Sequence, residues 1–340
     1  MLPRIVVFSA TILSCLAEEL IASDVSLSTI PHQVYKTAAG EESEGWMINI
    51  LVREAHDEPV VATAVTVELV AGDRALETRS YPAEALAALQ HKRFAKLNAQ
   101  PELFELDFRF IEPAAFKIDL VRFKIAIGLS GATPTDKILA VPVGVYRQRT
   151  NLIFPIKGDF TILVGDVIDN GHDEWSQFYA YDIAPVGPHG ELVRTTGEKN
   201  EDFVMWGHDV LATGDGTIVL ARDDLPDNAK PGVMPGEEEL LKLGELAQVA
   251  GGNQIVIDHG NGEFSYFAHL QHGSLRVKKG DVVKQGQVIA RLGNSGHATG
   301  PHLHYQLMAG GTVFRCDGLP AKFSNTSNPM PRRGGYGEAK

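Results

Sequence analysis

Polar and apolar positions alternate with a period of two over much of the first half of the chain. Val65, Val67 and Leu69 are separated by Thr66 and Glu68, and Phe104, Leu106, Phe108 and Phe110 by Glu105, Asp107 and Arg109. Successive side chains of a strand point to opposite faces, so each run predicts a strand with one apolar and one polar face. Ile48, Ile50 and Val52 follow the same rule, with Leu51 as the one break. Within residues 116–127 the apolar parity switches between Leu120 and Val121, which predicts a bulge or a turn. Pro142 has no amide hydrogen to give a ladder and marks residues 138–145 as an edge strand. Over residues 82–97 the period changes. Leu86, Leu89, Phe94 and Leu97 fall roughly on one helical face, and Pro82 stands near the first turn, so a helix is predicted. Residues 25–150 therefore read as an immunoglobulin-like β-sandwich with a helical insertion.

The second half is again strand-rich, which makes the whole chain all-β. Residues 147–158 read as a linker and lead-in strand to a second domain over 158–315. An insertion interrupts it at 223–248: residues 226–236 are rich in Pro and Gly, and 237–248 hold helix formers with acids first, where the helix dipole favours them. Such an excursion acts as a lid over a groove or is a plain surface insertion. Residues 316–340 show no periodicity at their end and read as a flexible C-terminal tail.

Composition narrows the function. With 340 residues the chain can bury two cores. A net charge of −12 argues against nucleic acid, which needs a basic face. The N-terminus begins Met1-Leu2-Pro3-Arg4, continues with an uncharged apolar run from Ile5 to Leu16, and reaches Ala17 before Glu18 and Glu19. A basic start, a short apolar core and a small residue read as a secretory signal peptide over residues 1–17, with cleavage after Ala17 or, as the alternative, Ala22. The run is too short for a transmembrane span. Ile12-Leu13-Ser14 before Cys15 partly matches a lipoprotein acylation site, an alternative to simple export. Removal of the signal leaves Cys316 as the one cysteine, so no intramolecular disulfide forms.

The chemistry centres on Gly300-Pro301-His302-Leu303-His304-Tyr305-Gln306-Leu307. On a strand His302, His304 and Gln306 share one face, while Leu303, Tyr305 and Leu307 pack on the other. Paired imidazoles can ligate a metal and leave one free for proton transfer. Upstream stand Gly252-Asn253-Gln254, Asp258-His259-Gly260-Asn261-Gly262, Tyr266-Phe267-Ala268-His269-Leu270, Val277-Lys278-Lys279-Gly280-Asp281 and Gly293-Asn294-Ser295-Gly296. Together, in this order, these motifs resemble the lysostaphin-type (LytM-type) zinc endopeptidases, which cleave peptide cross-links of bacterial cell walls. The resemblance covers roughly residues 160–315.

That resemblance implies a lysostaphin-like antiparallel β peptidase domain and a zinc ion held by a histidine, an aspartate and the second histidine of the HxH strand. His304 and Asp182 match the last two. The position four residues before the aspartate, where the family usually carries its first histidine, is Phe178 here. His172 on a longer loop is the replacement to expect, with His189, or no third ligand at all, as the alternatives. By the same resemblance His269 and His302 are the catalytic histidines, one acting as base and the other stabilising the oxyanion, with the assignment open. His297 is a possible substrate contact. His259 reads as a turn residue of a hairpin. The expected partners are peptidoglycan peptides, and the expected place is the periplasm or cell envelope, with secretion as the alternative. Two other readings stand beside this one. The chain is a wall-binding or hydrolase-activating member of the same fold, or residues 280–286 belong to a biotinyl- or lipoyl-like half-barrel, in which the HxH pair has no task.

Overall fold

The computed structural model describes residues 25–340 except 55–58, 92–103, 166–171, 173–174, 243, 245–248, 314 and 329–330. The signal and acylation readings lie outside the described residues. No helix among the described residues is long and apolar enough to cross a membrane. The chain divides into two compact units, Met1–Val34 with Glu42–Gly144 and Tyr35–Glu41 with Val145–Lys340.

The first unit comprises β1 (Val25–Ile30), β2 (Ser43–Glu54), β3 (Val60–Ala71), β4 (Arg74–Pro82), α1 (Ala83–Leu89), β5 (Phe104–Pro113), β6 (Leu120–Leu129) and β7 (Thr135–Gly144). One antiparallel sheet has the order β1-β2-β5 and the other β7-β6-β3-β4. Ile48, Ile50, Leu106 and Phe108 of one sheet meet Val65, Val67, Phe123 and Ile125 of the other in a shared core. The alternation in the sequence thus selects the inner face of each sheet.

Three expectations from the sequence are sharpened or corrected in this unit. The predicted helix is interrupted: α1 ends at Leu89 and Gln90–His91 pairs with β5, because main-chain bonding to that strand takes over from the helical ladder, while the rest of the prediction, with Phe94 and Leu97, lies outside the described residues. The parity switch at Leu120 reflects a turn and not a bulge within β6: a 3-10 turn at Ala114–Phe116 and Lys117 at φ 51° precede the strand, which then runs regularly with Val121, Phe123, Ile125 and Ile127 inward. Glu105 and Asp107, on the polar face that the alternation would leave to solvent, are buried at 1% and 8% exposure, with Asn49 donating to Glu105 at 3.4 Å. A polar residue on an alternating strand can be enclosed when its own face is covered and its hydrogen bonds are met.

The second unit holds β8 (Gly158–Val164), β9 (Tyr181–Pro185), β10 (Asp209–Leu211), β11 (Gly216–Arg222), α2 (Glu237–Leu241), β12 (Asn253–Asp258), β13 (Phe264–Leu270), β14 (Val282–Val283), β15 (Val288–Arg291), β16 (Leu303–Met308), β17 (Gly318–Leu319) and β18 (Tyr336–Ala339). Its main sheet, nine-stranded among the described residues, runs β14-β11-β12-β13-β16-β9-β8-β18, with β17 extending beside β16. Phe267, Leu303, Tyr305, Leu307, Tyr181 and Ile183 line one face and pack on Val210, Ile289, Ala290 and Leu292 of the β10–β15 pair and its flanks. Asp182, Ala268, His304 and Gln306 alternate with those residues and so occupy the opposite face.

The reading of residues 316–340 as a flexible tail is corrected. β17 pairs with β16, β18 pairs with β8, and Ala321 and Phe323 are buried at 0% and 1% exposure. Phe323 lies edge-on to Phe154, with ring centroids 5.0 Å apart, and also meets Tyr181 and Tyr305. Apolar anchors at single positions hold this segment, and such anchors leave no period to read.

Candidate metal and catalytic centre

The centre is assembled by strand register. β9 and β16 are antiparallel, and Asp182 stands directly opposite His304, so both side chains emerge on the same face. Asp182 Oδ1 lies 3.1 Å from His304 Nδ1. His172, from the segment between β8 and β9, brings its Nε2 to 3.3 Å from the same oxygen, and its ring meets that of His304 edge-on. His189, the alternative, is exposed at a turn and takes no part. Phe178, at the usual histidine position, is packed away at 1% exposure.

One ligand atom each from His172, Asp182 and His304 lies within 4.8 Å of the others, and together they can hold a metal ion. Two imidazole nitrogens and a carboxylate oxygen form the three-ligand pattern of catalytic metal sites, which keep a fourth position open.

His302 immediately precedes β16. Its Nδ1 lies 2.9 Å from Gly300 O, so that nitrogen donates to the carbonyl and Nε2 turns inward, 3.5 Å from Asp182 Oδ1. His269 reaches the centre by a different route. Regular alternation would put it beside Phe267 in the core. Instead, the β12–β13 register shifts between Asn253 and Ile255, and His269 takes the left-handed conformation with φ 60°. This bulge re-aims the imidazole to the opposite face, where its ring centroid is 4.7 Å from that of His302. His269 Nδ1 donates to Ser295 O at 2.8 Å.

The segment carrying Ser295 is itself fixed. Ser295 Oγ accepts from Asn253 N at 2.9 Å and donates to Leu270 O at 2.8 Å. From the insertion, Asn228 donates its side-chain amide to Gly296 O and Ala298 O. The insertion is thus stitched to the segment that orients His269. α2 spans Glu237–Leu241, and residues 243 and 245–248 of the predicted helix lie outside the described residues. His297 lies on this segment with an exposed side chain, outside the metal cluster. His259, read as a plain turn residue, has both ring nitrogens engaged, Nδ1 with Asp215 O and Nε2 with Ser265 Oγ, each at 2.8 Å.

Burial disfavours charge on Asp182, yet the field of His302 and the close imidazoles of His172, His302 and His304 outweigh it and hold the carboxyl well below the usual range. Burial keeps His269 well below the usual histidine range, reinforced by the neighbouring His302 and His304. Burial also acts on His302, but Asp182 beside it prevails and shifts this histidine upward.

Residues 198–315 match the model of peptidase family M23. The chain carries a peptidase family M23 domain. The peptidoglycan DD-endopeptidase ShyA of Vibrio cholerae is 33% identical over 124 residues, which are 36% of this chain and 23% of ShyA. ShyB of the same organism is 31% identical over 182 residues, 52% of this chain and 37% of ShyB. The chain therefore spans well under two thirds of either relative. The solved catalytic domain of lysostaphin from Staphylococcus simulans is 27% identical, with 34% of this chain and 77% of that domain covered and a TM-score of 0.21. The M23 match includes His269, His302 and His304 but stops short of Asp182 and His172. Geometry joins those two to the M23 histidines.

Sequence reasoning passed over three groups that orient the histidines: Ser295 O, Gly300 O and the Gln306 amide. Backbone carbonyls leave no sequence signal. Gln306 did, since it shares a strand face with His304.

Proposed function

We propose that the protein is an exported zinc metallo-endopeptidase that hydrolyses stem peptides or peptide cross-links of bacterial peptidoglycan. The observation that carries this reading is the convergence of His172, Asp182 and His304 on one point, with the rings of His269 and His302 beside it. His172 Nε2, Asp182 Oδ1 and His304 Nδ1 are the ligand atoms. A zinc ion held there supplies a Lewis acid that polarises the scissile carbonyl and lowers the pKa of bound water to about 7.

The chain's own residues handle the protons. His269 and His302 each commit Nδ1 to a main-chain carbonyl and present Nε2 to the reaction space. One, neutral, accepts the proton of the attacking water at Nε2 as the water oxygen adds to the carbonyl carbon, and the other, protonated on both nitrogens, donates a hydrogen bond from Nε2 to the developing oxyanion. The captured proton then passes to the departing amine as the C–N bond breaks. Relatives that are named peptidoglycan endopeptidases support wall peptides as the substrate class, and a wall substrate supports a location outside the cytoplasm.

The test is mass spectrometry of fragments released from purified peptidoglycan sacculi, with chelator and with zinc restored. New peptide termini that vanish with chelator and return with zinc are expected. Zinc-loaded, folded protein that releases nothing would reject the peptidoglycan substrate.

A further inference from the structure

Each histidine at this centre with one nitrogen turned inward needs an acceptor for the other. For His269 and His302 that acceptor is a main-chain carbonyl, which substitution does not remove. For His304 it is a side chain: Nε2 lies 3.1 Å from Gln306 Oε1. Gln306 is fully buried, two residues along β16 on the same face.

The orientation of the Gln306 amide follows from its other contact. Its Nε2 donates to Ser176 O at 3.4 Å, and a carbonyl can only accept. That carbonyl is held close against β17, where a Cβ on Gly318 would fall 2.5 Å from it. With the amide nitrogen committed to Ser176, the amide oxygen must face His304, and His304 Nε2 must carry the proton. A neutral imidazole has one N–H. His304 Nδ1 is then a bare lone pair directed at Asp182 Oδ1, 3.1 Å away. Two acceptors face each other there, an arrangement that a cation between them satisfies.

We propose that Gln306 is a positioning residue that fixes His304 in the Nε2–H tautomer and so keeps Nδ1 open as a metal ligand. The ligand half of this proposal rests on the metal reading above. Without an acceptor at Nε2, the proton moves to Nδ1 and is accepted by Asp182, which closes two of the three ligands into a hydrogen bond with each other. Groups that orient a ligating histidine change metal affinity by about 10–100-fold.

The experiment compares wild type, Gln306→Leu and Gln306→Glu, all checked for folding by circular dichroism melts. In metal-free protein labelled with 15N in the imidazoles, wild-type His304 is expected to be protonated on Nε2 and the Leu variant on Nδ1. Competition titrations with zinc and a chelating indicator should show affinity about 10–100-fold lower for Leu. The Glu variant, which retains an acceptor, should return most of it. A Leu variant that fails to fold leaves the wild-type tautomer and the Glu variant to decide. Wild-type His304 protonated on Nδ1, or a Leu variant that binds zinc as tightly as wild type, overturns the proposal. Wild-type protein that takes up no ion lost in Asp182→Ala overturns the metal reading and the ligand half with it. The tautomer measurement then decides the Gln306–His304 half by itself.

Discussion

Asp182 and His304 face each other residue to residue across β9 and β16, with Oδ1 and Nδ1 3.1 Å apart. Neither can move without shifting the register of a sheet whose other face is core, so the two ligand positions are fixed by folding. Asp182→Ala should therefore leave the fold intact and abolish stable metal uptake, with affinity lowered beyond the ~10–100-fold typical of a change behind a ligand. Elemental analysis after gel filtration checks this, and about one retained ion per variant chain would count against Asp182 as a ligand.

His269 and His302 should separate from the ligands by their response to alanine. Loss of either general acid–base or oxyanion contact typically lowers kcat by about 10²–10⁴. Bound metal should be unchanged in both variants. Parallel kcat and zinc measurements decide the point, since a variant that loses the ion would place its histidine among the ligands.

Gly252 supports His269 from a distance. Its φ is +65°, and an added Cβ would lie 2.4 Å from Ser295 Oγ and 2.5 Å from Ser295 O, the acceptor of His269. Gly252→Ala should cost about 1–3 kcal/mol through overlap on top of backbone strain and should lower kcat as well. Gly260→Ala is the control, because Gly260 has φ +75° with nothing within 4 Å of the added carbon. Denaturant unfolding of both variants should show a larger loss for Gly252. Equal losses and unchanged kcat would remove Ser295 from the account.

Glu263 gives the second unit an acid-sensitive joint. It is wholly buried in the turn before β13 and accepts from Arg149 N and Thr150 N at 2.7 Å and from the Tyr146 hydroxyl. Burial favours the neutral acid, but the bonds from Thr150, Tyr146 and Arg149 prevail and hold the carboxyl below its ordinary value of 4.5. A depressed folded-state value means that the stabilisation is fully present above the unfolded value and is lost as pH falls through the folded one. Stability should therefore drop as pH is lowered below about 4.5. Glu263→Gln should flatten that limb and cost about 1.5–3 kcal/mol at neutral pH through the weakened charged bonds. Urea midpoints across pH 3–7 check both parts, and an unchanged acid limb would assign it to other carboxylates.

How far the sequence could be read depended on how regular the local structure is. The inward faces of β2, β3 and β5 follow from alternation, and so does the division of β16 into His304 and Gln306 on one side and Leu303, Tyr305 and Leu307 on the other. His269 did not follow, because a bulge breaks the period on which its placement would rest. His172 was named only by resemblance and position, and its approach to Asp182 depends on tertiary folding. Glu105 and Asp107 misled because alternation reports polarity along a strand and not what covers its far side.

β18 finally sets a practical limit on how this protein can be handled. A fragment cut after residue 315 would retain every histidine of the centre and the whole M23 match. It would lose Phe323 from beneath Tyr181 and Tyr305 and would strip the partner from the outer edge of β8. An uncovered edge is a template for strand addition from another molecule. Such a fragment should be recovered as aggregate, and a soluble enzymatic core would have to extend through Ala339, well past the span that family likeness alone marks out.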